Sequence, residues 1–273
     1  MPKAEIGIVV PTLNSAATLD WTLCCLRHQK DASVEVVVVD SGSNDGTLEI
    51  CERWGVPTLH VSAGNIYRAV NKGLRQLNTD WMTYLNSDDV VYPYSYARML
   101  ECAKNKSAAV VYGDCDFMDF EGRFLYRLRS APPSLLPGLF HRGIGGFAQP
   151  ATIFSARAFE ELGGFDEELR LISDFDFFSR LAFGPCLFAK VAPPAVASFR
   201  RHARQLSESQ AEAMKQEMLL WHERRDQSRA PRGWIDLLTW RLQNLSCYFW
   251  RATMNRSWRV PPSHLVTALE RAE

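Results

Sequence analysis

Four clusters of residues have types and spacing that could do chemistry. Asn86-Ser87-Asp88-Asp89 follows an apolar run. Adjacent carboxylates repel unless a cation lies between them. Oxygen ligands suit Mg²⁺ or Mn²⁺, which commonly bridge carboxylates to phosphates. The same four residues would also serve as a turn capping the next helix. Asp40-Ser-Gly-Ser-Asn-Asp45 is the second cluster. A carboxylate closing a strand can accept hydrogen bonds from a base or a ribose, and the segment is equally good turn chemistry. The third runs from Gly163-Gly164 to Asp174-Phe-Asp176. Two positions apart on a helix, Asp174 and Asp176 point to different sides, so one can face a cleft while the other pairs or caps. In a first helical turn Asp174 would be held ionised by the helix dipole, as a general base requires. The fourth is His202, set among Arg200, Arg201 and Arg204. Its imidazole can ligate a metal or be merely structural, and the guanidinium groups can clamp phosphate.

These clusters need elements to position them. Ile6 to Val10 is a short apolar run ended by Pro11, and Val34 to Val39 is a second, β-branched run. Both read as buried strands. Thr58 to Val61, Trp81 to Leu85 and Val110 to Tyr112 are further strand candidates. Helices are predicted through Trp21, Leu23 and Leu26, over Thr47 to Trp54, Ala69 to Leu77 and Phe159 to Leu162, and from Asp174 to Leu181. Strand and helix alternate over the first hundred residues, the pattern of a parallel sheet covered on both faces. Thr12-Leu-Asn14, Asp40 to Asp45 and Asn86 to Asp89 each fall just after a strand, where ligands bind in open α/β sheets. Residues 130–149 are rich in Pro and Gly and read as a long loop. From Ser207 the chain is mostly helical, with breaks near Pro231 and Pro261.

Composition narrows the function classes. The 273 residues hold 31 basic and 31 acidic side chains and are 47 % hydrophobic. That is an ordinary globular composition, and a net charge of zero argues against a nucleic-acid partner. The charge is divided: 13 basic against 8 acidic residues lie from Arg200 to Glu273, and 18 against 23 lie before them. An acidic body suits a metal, and a basic tail suits an anionic partner. Seven cysteines without a C-x-x-C pair resemble neither a zinc site nor a disulfide framework. With no signal peptide and no apolar run long enough to span a bilayer, a cytoplasmic location is expected. The turn after the first strands is neither G-x-G-x-x-G nor a P-loop.

The ordered set Pro11-Thr-Leu-Asn14, Val38-Val-Asp40-Ser-Gly-Ser-Asn-Asp-Gly-Thr47, Ile66 to Gly73, Leu85-Asn-Ser-Asp-Asp89, Tyr112-Gly-Asp114 and Gly163-Gly-Phe-Asp166 through Asp174 resembles the family-2 glycosyltransferases of the GT-A fold. The bacterial surface-polysaccharide branch is nearest. The resemblance covers roughly residues 4–208. It implies a Rossmann-like mixed sheet with helices on both faces as a catalytic domain over 1–208, and a helical extension over 209–273. It also implies an inverting, hexosyltransferase-like enzyme using Mn²⁺ or Mg²⁺. The donor would be a nucleotide-diphospho-sugar, UDP-sugar by default, and the acceptor a glycan or lipid-linked hydroxyl. Thr12 and Asp40 would contact the base. Asp89 would ligate the metal, with His202 near the diphosphate, and Asp88 would reach the ribose or sugar. Asp174 would be the catalytic base, and Arg68, Asn71 and Lys72 would line the donor pocket. Arg68 stands where close relatives often have Asp. Ala148-Gln149 stands where the family usually has His-Gln.

Two other classes compete with this reading. A sugar-nucleotide pyrophosphorylase needs a Gly-rich, basic loop after its first strand, and Pro11-Thr-Leu-Asn-Ser-Ala is neither. A non-catalytic scaffold would dock through its tail. In that tail Trp221, Trp234, Trp240, Phe249, Trp250 and Trp258 lie among arginines, and Trp234, Leu238, Leu242, Leu245 and Phe249 share one helical face. Trp with Arg suits an interface with anionic lipid, so a peripheral site at the inner face of a membrane is one reading of residues 221–259. The favoured expectation is that the stripe packs on the body or in a homodimer, because apolar stripes are usually core.

Overall fold

The structure is a computed structural model that describes residues 4–203, 205–224 and 233–254. The expectations at Pro231, Trp258 and Pro261, and for the side chain of Trp250, lie outside the described residues. Strands are β1 (Ile6–Thr12), β2 (Val34–Asp40), β3 (Thr58–His60), β4 (Trp81–Tyr84), β5 (Val90–Val91), β6 (Val110–Tyr112), β7 (Cys115–Met118), β8 (Phe124–Leu128), β9 (Thr152–Ser155), β10 (Phe188–Lys190) and β11 (Ala197–Arg200). Helices are α1 (Leu19–Arg27), α2 (Thr47–Trp54), α3 (Ile66–Leu74), α4 (Ser95–Lys106), α5 (Leu136–His141), α6 (Ala156–Glu161), α7 (Ser173–Phe183), α8 (Leu206–Ser209), α9 (Ala211–Arg224), α10 (Gly233–Gln243) and α11 (Leu245–Met254).

The main sheet has the order β10-β6-β9-β4-β1-β2-β3. All neighbours are parallel except β9, which runs antiparallel to β4 and β6. The sheet is therefore mixed, as the family resemblance implies. Alternation along β1 divides the core. Ile6, Ile8 and Val10 pack with Leu19, Leu23 and Leu26 of α1 on one face. Val9 packs with Val70 and Leu74 of α3 and Phe177 of α7 on the other. Each such buried side chain is worth about 1.5–3 kcal/mol. Gly73 is what lets α3 lie so close. A Cβ there would stand 2.6 Å from Val9 Cγ2 and 2.9 Å from Val39 Cγ2. The chain runs outward through β1, β2 and β3, then returns to place β4 on the other side of β1. That reversal makes the carboxyl ends of β1 and β4 a topological switch point, the place where open α/β sheets bind ligands.

A second sheet, β5-β11-β7-β8, was not legible beforehand. Its strand β5 begins directly after Asp89 and pairs antiparallel with β11, Val90 opposite Ser198. Two other differences are local. α3 begins three residues before the expected start because Asn65 caps it, its side chain accepting from the Tyr67 amide at 2.9 Å. The expected loop over 130–149 contains α5, whose Leu136, Leu139 and Phe140 are buried.

The tail differs from one half of its expectation. Trp234, Leu238, Leu242, Leu245 and Phe249 are all largely exposed in the single chain and not buried on the body, although Arg142 lies over the Trp234 ring. The opposite side of the same helices is buried instead, through Gly233, Leu237, Trp240 and Asn244. Gly138 of α5 permits the close approach of α10. Among the described residues no helix is long and apolar enough to cross a membrane.

Candidate active site

At the carboxyl ends of β1 and β2, Thr12 and Asp40 are register partners. The Thr12 hydroxyl donates to Asp40 Oδ1 at 3.2 Å. Asp40 Oδ2 also accepts the amides of Gly42 at 2.8 Å and Ser43 at 3.0 Å, and the Ser43 hydroxyl donates to Oδ1. Burial opposes ionisation, but these donors outweigh it and hold Asp40 below the usual carboxylate range. His60 Nδ1 lies 3.8 Å from Asp40 Oδ2. Asp45 does structural work: it accepts the Thr47 and Ala16 amides and so starts α2. Both carboxylates of this turn are held below the usual range by their donors, Asp40 at the strand ends and Asp45 against the first residue of α2.

After β4 the adjacent Asp88 and Asp89 point in different directions. Asp88 Oδ2 meets His202 Nε2 at 2.9 Å. Asp89 turns inward and is buried. Its Oδ1 accepts the Arg200 amide at 2.8 Å. Burial first, and the neighbouring Asp88 charge second, push Asp89 far above the ordinary carboxylate range. Arg200 was a functional candidate only as a phosphate clamp. It instead lies buried beneath the acidic pair, its Nε donating to the Asp88 carbonyl at 2.8 Å and a second nitrogen to the Phe120 carbonyl. The pairing of β5 with β11 produces this arrangement, because it carries Arg200 and His202 back alongside Asp89 and Asp88.

The second wall comes from α3 and α7. The Tyr67 hydroxyl donates to Asp174 Oδ1 at 2.8 Å, and the Phe175 amide donates to the same oxygen. Burial is the largest influence on Asp174 and raises its pKa despite these donors. This reverses the expectation from the helix dipole alone: removing a carboxylate from water costs more than the first helical turn returns. Asp176 takes the other side, as the two-residue spacing predicts. It accepts from Trp221 Nε1 at 2.8 Å and from Arg180 Nε at 2.7 Å. Helix α9 supplies that tryptophan. It also supplies Glu217, whose carboxylate accepts the amides of Arg170, Leu171 and Ile172 just before α7. Neither α9 residue was singled out for this role. The acidic side chain aimed at a loop of free amides leaves no local sequence signal.

The three α3 candidates separate. Asn71 is fully buried and does not line a pocket. Its amide donates to the Phe165 carbonyl and to Glu167 Oε1, and its oxygen accepts the Phe165 amide. It fastens the Gly163–Glu167 turn, where Gly164 has φ +92° and a Cβ would stand 2.8 Å from Asn71 Oδ1. Lys72 lies on the surface and donates to the His60 carbonyl at 2.8 Å, beside the Asp40 cluster. Arg68 Nε lies 3.7 Å from Glu167 Oε2, near the Asp174 wall. Three buried polar atoms around the ends of β4 and β11 have no partner among the described residues: Asn86 Oδ1, Gln149 Oε1 and His202 Nδ1. Gln149 is anchored there by its own amide, which donates to the Tyr84 carbonyl at 2.7 Å.

The chain is 28 % identical over 213 residues to a PGL/p-HBAD biosynthesis glycosyltransferase of Mycobacterium bovis, covering 73 % of this chain and 78 % of that protein. It spans only 27 % of the length of an uncharacterized glycosyltransferase of Rickettsia bellii, at 25 % identity over 193 residues and 64 % of this chain. In fold it is similar to TarS of S. aureus solved with UDP, with a TM-score of 0.61 and 17 % identity over 93 % of this chain and 75 % of that one. It is also similar to the mannosyltransferase PcManGT of Pyrobaculum calidifontis solved with GDP-Man and Mn²⁺, with a TM-score of 0.60 and 18 % identity over 99 % and 80 % of the chains. The model of the family described as Glycosyl transferase family 2 matches residues 7–163, more than half of the chain. The strand-end carboxylates, the mixed sheet and this match agree, and the chain belongs to glycosyl transferase family 2.

Proposed function

We propose that the protein transfers a sugar from a nucleotide-diphospho-sugar to a hydroxyl of a glycan or lipid-linked acceptor, with inversion and with Mn²⁺ or Mg²⁺ bound. The observation that carries the reading is a pair of unlike acidic groups, each held by its own partner. The Asp88–His202 pair stands at the strand ends, and Asp174 stands on the α7 wall with Tyr67 against it. UDP is the preferred nucleotide because TarS was solved with it. Family membership leaves the pyrophosphorylase and scaffold alternatives without support.

Thr12 and Asp40 hold the base end of the donor, with Asp40 already ionised as an acceptor for base or ribose N–H and O–H groups. The donor set fits a hard divalent cation. Asp88 would supply oxygen and His202 nitrogen, and such ions keep waters and substrate phosphates as further ligands. Among the described residues no group of three or more His, Cys, Asp or Glu side chains could hold a metal. Between the adjacent carboxylates Asp88 is the better candidate ligand, because Asp89 is buried with its Oδ1 accepting the Arg200 amide. A bound cation would neutralise charge developing on the leaving diphosphate. Arg200 and Asp89 fix Asp88 and His202 from behind.

An acceptor hydroxyl is a poor nucleophile until a base takes its proton. Asp174 takes it, the hydroxyl oxygen bonds to the anomeric carbon, and the bond to the nucleoside diphosphate breaks. A single attack opposite the leaving group inverts the centre. Tyr67 and the Phe175 amide share one carboxylate oxygen of Asp174, which leaves the other for the proton. The test is nucleoside-diphosphate release from a panel of UDP-, GDP- and dTDP-sugars, with the anomeric configuration of the product read by NMR. Release from one donor with an inverted product supports the reading, and retention of configuration contradicts it.

A further inference from the structure

The helices α10 and α11 are apolar on two opposed sides. The inner side is fully engaged. Trp240 Nε1 donates to the Arg129 carbonyl at 2.9 Å, and Asn244 bonds both the amide and the carbonyl of Arg129. Leu237 is buried with them. This packing fixes the helix, so the outer side is not an accident of a loose end. On the outer side Trp234 is 69 %, Ile235 63 %, Leu238 59 %, Leu242 56 % and Leu245 56 % exposed. At 100° per residue these five fall within about a 100° arc. A contiguous apolar stripe of that kind marks an interaction surface.

Charge decides what covers the stripe. In sequence, residues 225–259 hold seven arginines and two aspartates. Arg142 lies over the Trp234 ring at 3.4 Å, adding a cation at the stripe's edge. A second copy docking here by two-fold symmetry would bring two such basic segments together. An anionic surface would instead meet the segment with opposite charge. Leucines and isoleucine on one face, a tryptophan at the margin and a sequence rich in arginine are the composition of a helix lying in a lipid interface.

We propose that the outer face of α10 and α11 docks the protein onto a bilayer carrying anionic lipid. The helix lies flat, with Ile235, Leu238, Leu242 and Leu245 in the acyl boundary and the arginines at the headgroups. The docked helix α10 packs on α5, and α5 packs on α7, which carries Asp174. This inference does not rest on the donor-site reading.

The test is cosedimentation of the full chain with vesicles of phosphatidylcholine alone and of phosphatidylcholine mixed with phosphatidylglycerol. Wild type should bind the anionic vesicles at least about tenfold more tightly than the neutral ones, and lose that advantage in high salt. The double variant Leu238→Glu/Leu242→Glu should bind at least about tenfold more weakly, with its thermal midpoint unchanged. Arg241→Glu, which leaves the apolar face intact, should weaken only the anionic binding. Wild type remaining in the supernatant with both vesicles would overturn the proposal. So would a dimer in sedimentation analysis that the double variant converts to monomer, since a second copy would then cover the face.

Discussion

At the scale of single residues, the account turns on which carboxylate does what. Asp174→Asn should lower kcat by about 10²–10⁴-fold while leaving nucleotide-induced stabilisation in place. A loss of both would make Asp174 a binding group and not a base. The pH dependence has a definite sign. Burial raises the Asp174 pKa, and the Tyr67 hydroxyl opposes the rise by favouring the charged form. The base is active only when ionised, so kcat/KM should climb with pH through this raised pKa. Tyr67→Phe removes the opposing bond and should move the limb to higher pH. An unmoved limb, or one moved to lower pH, would remove Asp174 from the profile. The division between Asp174 and Asp176 was legible in the sequence because helical spacing alone sends them apart. The division between Asp88 and Asp89 was not. It depends on Arg200 arriving from more than a hundred residues away, and adjacent identical side chains give no hint of which turns inward.

At the scale of elements, the β-branched runs of β1 and β2 and the apolar periodicity of the α/β half were readable because each is long and buried on both faces. Strands β7 and β11 have four residues each, broken by Asp116 and by Ser198 and Arg200, and β5 has two, so no unbroken apolar run marks them as one marks Val110–Tyr112. That second sheet is what delivers His202 to Asp88, so the missing elements and the missing site geometry share one cause. The close contacts between elements make two predictions. Gly73→Ala places a methyl against Val9 and Val39 and should destabilise the fold by about 1–3 kcal/mol, measured by urea denaturation. No loss would mean that α3 can lift off the sheet freely. Glu217→Ala strips three amides ahead of α7 of their acceptor. The expected result is a cost of about 1–3 kcal/mol together with a lowered kcat, because the loop that carries the helix of Asp174 loses its anchor. Unchanged kcat would show that α9 braces the fold without positioning the base.

At the scale of the whole molecule, one topological reversal sets β1 and β2, which end in Thr12 and Asp40, beside β4, which leads into Asp88 and Asp89, so both groups lie at strand carboxyl ends. The sequence carried this much, since three polar clusters each followed a strand. It did not carry the exposure of the tail stripe, because periodicity reports that a face is apolar and not what lies against it. The account stands or falls on one nucleotide site built around Asp88. The measurement that reaches it most directly is thermal unfolding with UDP, in the presence and absence of Mn²⁺, for wild type, Asp88→Ala and Asp89→Ala. At about 100 times its dissociation constant the nucleotide adds about 2.7 kcal/mol, a rise of roughly 5–10 °C for a chain of this size. The account predicts that rise in wild type only with Mn²⁺ and its loss in Asp88→Ala without a fall in the ligand-free midpoint. It also predicts a lowered ligand-free midpoint in Asp89→Ala, whose carboxylate is part of the core. A full rise retained in Asp88→Ala, or none in wild type with any of UDP, GDP, dTDP or CDP, would contradict it.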